Sequence, residues 1–165
     1  MKTRRNRSLR LKTMVSGIFI LLGILFLVAI FVFKGSMNNI ISKKMKEQAG
    51  VTIKQSMALY VDSAYNYRNN KEEYKITFLE FGATGCSSCR MMEKVMEEVR
   101  TAYPKKIKVK FLNVLLPANQ DMMKYFGIAA IPNQVLLDNF GKEVFRHAGY
   151  IPFDDLDKEF HKIKH

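Results

Sequence analysis

ITFLEFGATGCSSCRMME, residues 76–93, decides how this chain is read. Ile76 to Phe81 is a short run of β-forming apolar residues broken only by Thr77 and Glu80, and Gly82 closes it, so it reads as a buried central strand. Beyond the cysteines, Met92, Val95, Met96, Val99 and Tyr103 recur at offsets of three and four, with charged residues between them, up to Pro104. That is an amphipathic helix. Cys86 and Cys89 therefore sit where a strand hands over to a helix. There the free N–H groups and the helix dipole favour a thiolate on Cys86, and Cys89, three residues on, is spaced to act as its resolving partner.

A pair of cysteines can also be a permanent bridge or half of a metal site. A strand-to-helix C-x-x-C is rarely a permanent bridge. Zinc would need two more ligands, and the histidines are His147 on an expected hairpin strand and His161 and His165 near the C-terminus, with no paired-ligand spacing. No metal and no cofactor is expected, His147 reads as a half-exposed strand residue, and Met91, Met92, Met96, Met122 and Met123 read as packing.

Outward from this stretch the pattern is regular. Residues 51–68 suit a moderately amphipathic helix ended by Asn69 and Asn70. Ile107, Val109 and Phe111 alternate with Lys108 and Lys110 and run on through Leu112 to Leu116, a strand entering the core that stops at Pro117. A short helix over 119–126 is closed by Gly127, and Val135 to Leu137 form a strand after Pro132. Asp138 to Gly141 turn into a hairpin strand at 143–147, and Phe153, Leu156, Phe160 and Ile163 stripe a last helix. The expected class is α/β, a central mixed sheet flanked by helices.

The N-terminal third differs in kind. Of a formal net charge of +12, half comes from Lys2, Arg4, Arg5, Arg7, Arg10 and Lys12. Basicity concentrated in a leader argues against nucleic acid as a partner. Met14 to Phe33 then carries no charge, and as a helix at about 1.5 Å per residue it spans roughly 30 Å, one hydrocarbon core. A small domain rarely encloses a core helix that is apolar all round, and a cleaved signal peptide usually has a shorter apolar stretch and a small-residue exit, where this one leaves through Phe31, Val32, Phe33 and Lys34. No cysteine precedes Cys86, so no lipid-modified cysteine is available near the end of the run. The expected layout is a basic cytoplasmic leader (1–13), a transmembrane helix (14–33), a polar tether (34–50) and a folded domain (51–165) outside the cytoplasm, since the basic leader outweighs Lys34, Lys43, Lys44 and Lys46.

The strand ITFLEF, the segment FGATGCSSCRMME, GIAAIP at 127–132 and the hairpin GKEVFRHAGY at 141–150 together resemble the thioredoxin superfamily over residues 51–165. The resemblance implies a thioredoxin-like fold and a thiol-disulfide oxidoreductase in which Cys86 attacks and Cys89 resolves. It implies that Pro132 follows a cis peptide bond and lies against the cysteine pair, that the backbone at Ile131 pairs with substrate, and that Glu80, six residues before Cys86, is a buried acid helping to move the proton of Cys89. This chain departs from the family pattern at Gly85, where tryptophan is usual beside the substrate, at Ser87 and Ser88 in place of Gly-Pro, and at Asn133 in place of threonine. Serine hydroxyls stabilise a thiolate less than a cation does, which favours reduction of disulfide-containing extracytoplasmic proteins. Tethered thioredoxins of this kind imply a thiol-transporting membrane protein of the cytochrome c biogenesis type as electron donor. The same dithiol run in reverse, as an oxidase or isomerase of secreted proteins, and a non-enzymatic peptide-binding module are the competing readings.

Overall fold

The computed structural model describes the backbone of residues 2–163 and, within the first helix, the side chains of residues 17–29, 37, 38 and 40 onward. It divides into two compact units, Met1–Asn39 and Ile40–His165. The first unit is helix α1 (Lys2–Gln48) up to the division. Within it Phe19, Leu21, Leu25 and Phe26 are each at least 66% exposed, and Ile18, Ile20, Leu22, Ile24, Leu27 and Val28 are exposed as well. Among the described residues no helix is long and apolar enough to cross a membrane. The side chains at both ends of the Met14–Phe33 run, and all those of the basic leader, lie outside the described set.

The second unit holds the last turns of α1 and then α2 (Val51–Tyr65), α3 (Tyr67–Asn70), β1 (Ile76–Gly82), α4 (Ser87–Ala102), β2 (Ile107–Asn113), a 3₁₀ turn (Pro117–Asn119), α5 (Gln120–Phe126), β3 (Asn133–Leu137), β4 (Glu143–Ala148) and α6 (Phe153–Lys162). The sheet order is β2-β1-β3-β4, with β1 and β2 parallel and the other pairs antiparallel. This is the mixed sheet flanked by helices that the sequence pattern implies. Every residue of β1 is buried, as a strand with a neighbour on each side and a layer on each face requires.

Side chains alternate across β1 and divide the core in two. Leu79 and Phe81 join Val135 and Leu137 of β3 under α2 and α5, which supply Val61, Tyr65, Met122 and Phe126. Phe78 faces the other way, with Leu136, under α4 and α6, where Met92, Val95, Met96, Val99, Leu156 and Phe160 close the layer. By the same alternation Glu80 and Gly82 lie on the α4 side.

Two segments depart from the sequence reading. The strand expected to enter the core through Leu116 is an edge strand that ends at Asn113. Val114 N–H gives a last bond to Gly82 O at 2.8 Å, the Asn113 side chain accepts from Leu115 N at 3.0 Å, and Leu115 and Leu116 turn out to solvent at 64% and 51% exposure. Lys108 and Lys110 are the charges that suit such an edge.

The segment read as a polar tether is helical as far as Gln48, and from Ile40 it belongs to the folded unit. Ser42 is buried, and Lys46 Nζ meets Glu143 Oε2 at 2.8 Å. Burial acts to raise the Glu143 carboxyl, but hydrogen bonds from Arg146 and Lys46 outweigh it and hold the group below the usual carboxylate range. Arg146 continues the link by donating to Phe126 O at 2.6 Å.

Gly127 ends α5 in the left-handed region at φ +63°, where a Cβ would stand 2.2 Å from the backbone oxygen of Ser42. Gly127→Ala is therefore expected to lower stability by at least about 2 kcal/mol, from the left-handed backbone and a clash that only movement of α1 relieves. A denaturant midpoint equal to that of the unsubstituted chain would contradict this contact.

Candidate active site

All four strands bring their ends to one edge of the sheet. Gly82 ends β1 beside Asn113, Asn133 starts β3 opposite Phe81, and Ala148 ends β4 opposite Asn133. The chain leaves β1 at this edge, passes Gly85, and enters α4 with Cys86 as the N-cap. The Cys86 sulfur accepts the backbone N–H of Cys89 at 3.2 Å and lies 3.4 Å from Ser88 Oγ. A negative charge there would meet donors already aimed at it and the positive end of a 16-residue helix.

Cys86 and Cys89 form a disulfide, with Cα atoms 5.2 Å apart. Their exposures differ: Cys86 is partly exposed and Cys89 is buried at 3%. An attacking sulfur must be reachable by a substrate disulfide, whereas a resolving sulfur needs to reach only its partner. The asymmetry follows from helical geometry, since Cys89, unlike Cys86, has turned inward with Met92 and Met96 onto the sheet.

The peptide bond Ile131–Pro132 is cis. Pro132 precedes β3, so it lies at the same sheet edge as Gly82, and its carbonyl accepts Gly149 N–H at 2.8 Å. Pro132 is buried and Ile131 partly exposed. Gly85 is exposed with φ +87°, and a Cβ there would meet nothing within 4 Å. Backbone conformation, not lack of room, is what calls for glycine at this position.

Glu80 is fully buried. Gln134 Nε2 donates to Glu80 Oε2 at 3.0 Å, and Glu80 Oε1 has no partner among the described residues. Burial pushes the carboxyl up to about 8, against the hydrogen bond from Gln134, which acts the other way. Gly82, two residues along the same face, lies beneath Cys89. A methyl group there would be 3.4 Å from Cys89 Cβ and 2.8 Å from the edge of the Phe111 ring. Glu80 and Gly82 thus occupy successive inward positions of β1, Cys89 packs over the second, and Phe111 closes the β2 side.

A family model for a thioredoxin-like domain matches residues 63–164. The chain belongs to the thioredoxin-like family.

Within that family, the chain is 33% identical over 94 residues to a thioredoxin of Alicyclobacillus acidocaldarius, covering 57% of this chain and 87% of that protein. It is 30% identical over 87 residues to a thioredoxin of Listeria monocytogenes, covering 53% and 82%. Its fold is similar to that of a thioredoxin-2 described as a component of malaria parasite protein secretion machinery, at a TM-score of 0.50 and 23% identity over 54% of this chain and 84% of that one. Thioredoxin relatives and a cysteine pair at bonding distance make this thioredoxin-like protein a thiol-disulfide oxidoreductase.

Cys86, Cys89, Pro132, Ile131 and Gly85 gather at one sheet edge, and Glu80 lies on β1 two residues before Gly82, the residue Cys89 packs over. His147 lies on β4 opposite Gln134, where its Nε2 is 3.2 Å from Tyr150 O. Among the described residues no three His, Cys, Asp or Glu side chains cluster to hold a metal ion. The residue that sequence reading missed is Gln134. β3 begins two residues before the apolar run Val135 to Leu137, and Gln134 shares its face with Leu136. An amide at a core-facing strand position was the available signal.

Proposed function

We propose that this thioredoxin-like protein is a membrane-anchored reductase of disulfides in extracytoplasmic proteins. The observation that carries the reductive direction is the setting of Cys86. Its sulfur has one backbone N–H, one serine hydroxyl and a helix N-terminus to stabilise a thiolate, and no cation among residues 84–89. Moderate stabilisation of the thiolate leaves the dithiol a good electron donor. The anchor is supported by the uncharged run Met14–Phe33, by the exposure of large apolar side chains from Ile18 to Val28, and by the basic leader, which sets the N-terminus in the cytoplasm.

In this mechanism the Cys86 thiolate attacks a substrate disulfide, forming a mixed disulfide and expelling one substrate thiolate. Cys89 then gives its proton to the Glu80 carboxylate and attacks the Cys86 sulfur. The Cys86–Cys89 disulfide forms, the second substrate thiolate leaves, and two electrons have passed to the substrate. Ile131 offers main chain to an extended substrate segment, Pro132 shapes the floor beside the cysteines, and Gly85 leaves the rim open for bulky partners. A membrane dithiol carrier returns the protein to its reduced form.

The test is the reduction potential of the full-length chain in detergent, equilibrated against thiol buffers. A value near about −270 mV is expected, and one near about −120 mV would contradict the reductive reading and favour an oxidase. The same chain should stay with the membrane after alkaline washing, and its release would contradict the anchor.

A further inference from the structure

Across the sheet, one row of paired residues runs Phe111 on β2, Glu80 on β1, Gln134 on β3 and His147 on β4. Gln134 is fully buried, and its own Oε1 has no partner among the described residues. Leucine or methionine would fill the same space without burying an amide, so packing does not account for glutamine here. What the amide does is hold Glu80, by the 3.0 Å bond from Nε2 to Oε2.

We propose that Gln134 is a positioning residue for disulfide exchange, pinning the Glu80 carboxyl through Oε2 and leaving Oε1 as the oxygen that trades a proton with Cys89. The inference rests on the proton-transfer role given to Glu80 above. A donor fixed on one carboxylate oxygen restricts rotation of the group and stabilises its ionised form, the form that accepts the thiol proton.

Few other ionisable groups compete on this side of the sheet. β2 presents Phe111, with Lys108 and Lys110 paired to residues of the opposite face. α4 presents Cys89, while Arg90 and Glu93 are exposed. α6 packs with Leu156 and Phe160, and its Asp157 is taken by Tyr103. β4 contributes His147 one strand beyond Gln134.

The experiment is an NMR titration of the reduced full-length chain in detergent, paired with the rate of the Cys89 step against pH. In the unsubstituted protein the Gln134 side-chain amide and the Glu80 carboxyl are expected to titrate with one midpoint. In Gln134→Met that carboxyl midpoint should rise by about one pH unit and the rate at neutral pH fall about tenfold. In a Glu80→Gln background, adding Gln134→Met should leave the pH profile unmoved. A Gln134 amide blind to the Glu80 titration, or a Met variant with an unshifted midpoint, overturns the proposal, and the first of these needs no variant to fold. If Glu80→Gln itself leaves the pH profile intact, the Glu80 reading fails and the role of Gln134 falls with it.

Discussion

Cys86→Ser is expected to reduce disulfide-exchange activity to the uncatalysed background, a fall of roughly 10³-fold or more. The serine keeps the N-cap geometry, because its oxygen can accept the Cys89 N–H that the sulfur accepts now, so α4 should not unravel. What is lost is the nucleophile. A serine hydroxyl is not ionised at neutral pH and forms no bond with a substrate disulfide. Insulin reduction by the full-length chain with a dithiol donor, read beside circular dichroism, separates the two effects. Activity retained by a folded Cys86→Ser chain would contradict the assignment of the attacking sulfur.

Glu80→Gln is expected to make the protein more stable and slower at once, with a definite pH dependence. In the folded chain the carboxyl takes up its proton near pH 8, whereas unfolded it does so near its ordinary 4.5. Between those values the folded state binds more protons than the unfolded state, so stability falls as pH rises across the window. Below about pH 4.5 both states hold the proton and the substitution should be nearly neutral. Above pH 8 the variant is spared a buried charge and should be more stable by up to about 5 kcal/mol. Glutamine can still accept from Gln134 Nε2 through its amide oxygen, so the bond between β1 and β3 side chains is kept. The price is the proton acceptor for Cys89, and resolution of the mixed disulfide should slow by about 10²-fold. Denaturant melts at pH 5 and pH 9 test the first half, where an equal stability difference at both pH values would contradict a buried, shifted Glu80.

Local patterns made much of this legible. ITFLEF, closed by Gly82, carries the composition of a fully buried strand. The inward stripe of α4 is written in Met92, Val95, Met96 and Val99, and the step between the two elements places Cys86 at a helix start. Pro132 after Ile131 carried the expectation of a cis bond from the family pattern, and the bond is cis.

What was not legible depends on which strand lies beside which. β2 alternates in a way that suits a central or an edge strand, and only the order β2-β1-β3-β4 sends Leu115 and Leu116 outward. Gln134 acquires meaning once register sets it against Glu80, 54 residues earlier. The docking of Ser42 and Lys46 on the domain was equally hidden, since their partners Gly127 and Glu143 are remote in sequence.

The most direct test of disulfide exchange through Cys86 is covalent capture. Full-length Cys89→Ser, purified reduced and mixed with a disulfide-containing protein, should accumulate a mixed disulfide mapped to Cys86 by mass spectrometry and released by dithiothreitol, while the unsubstituted chain passes through that state and ends oxidised. A Cys89→Ser chain that stays folded, keeps a free Cys86 thiol and captures nothing would contradict the account.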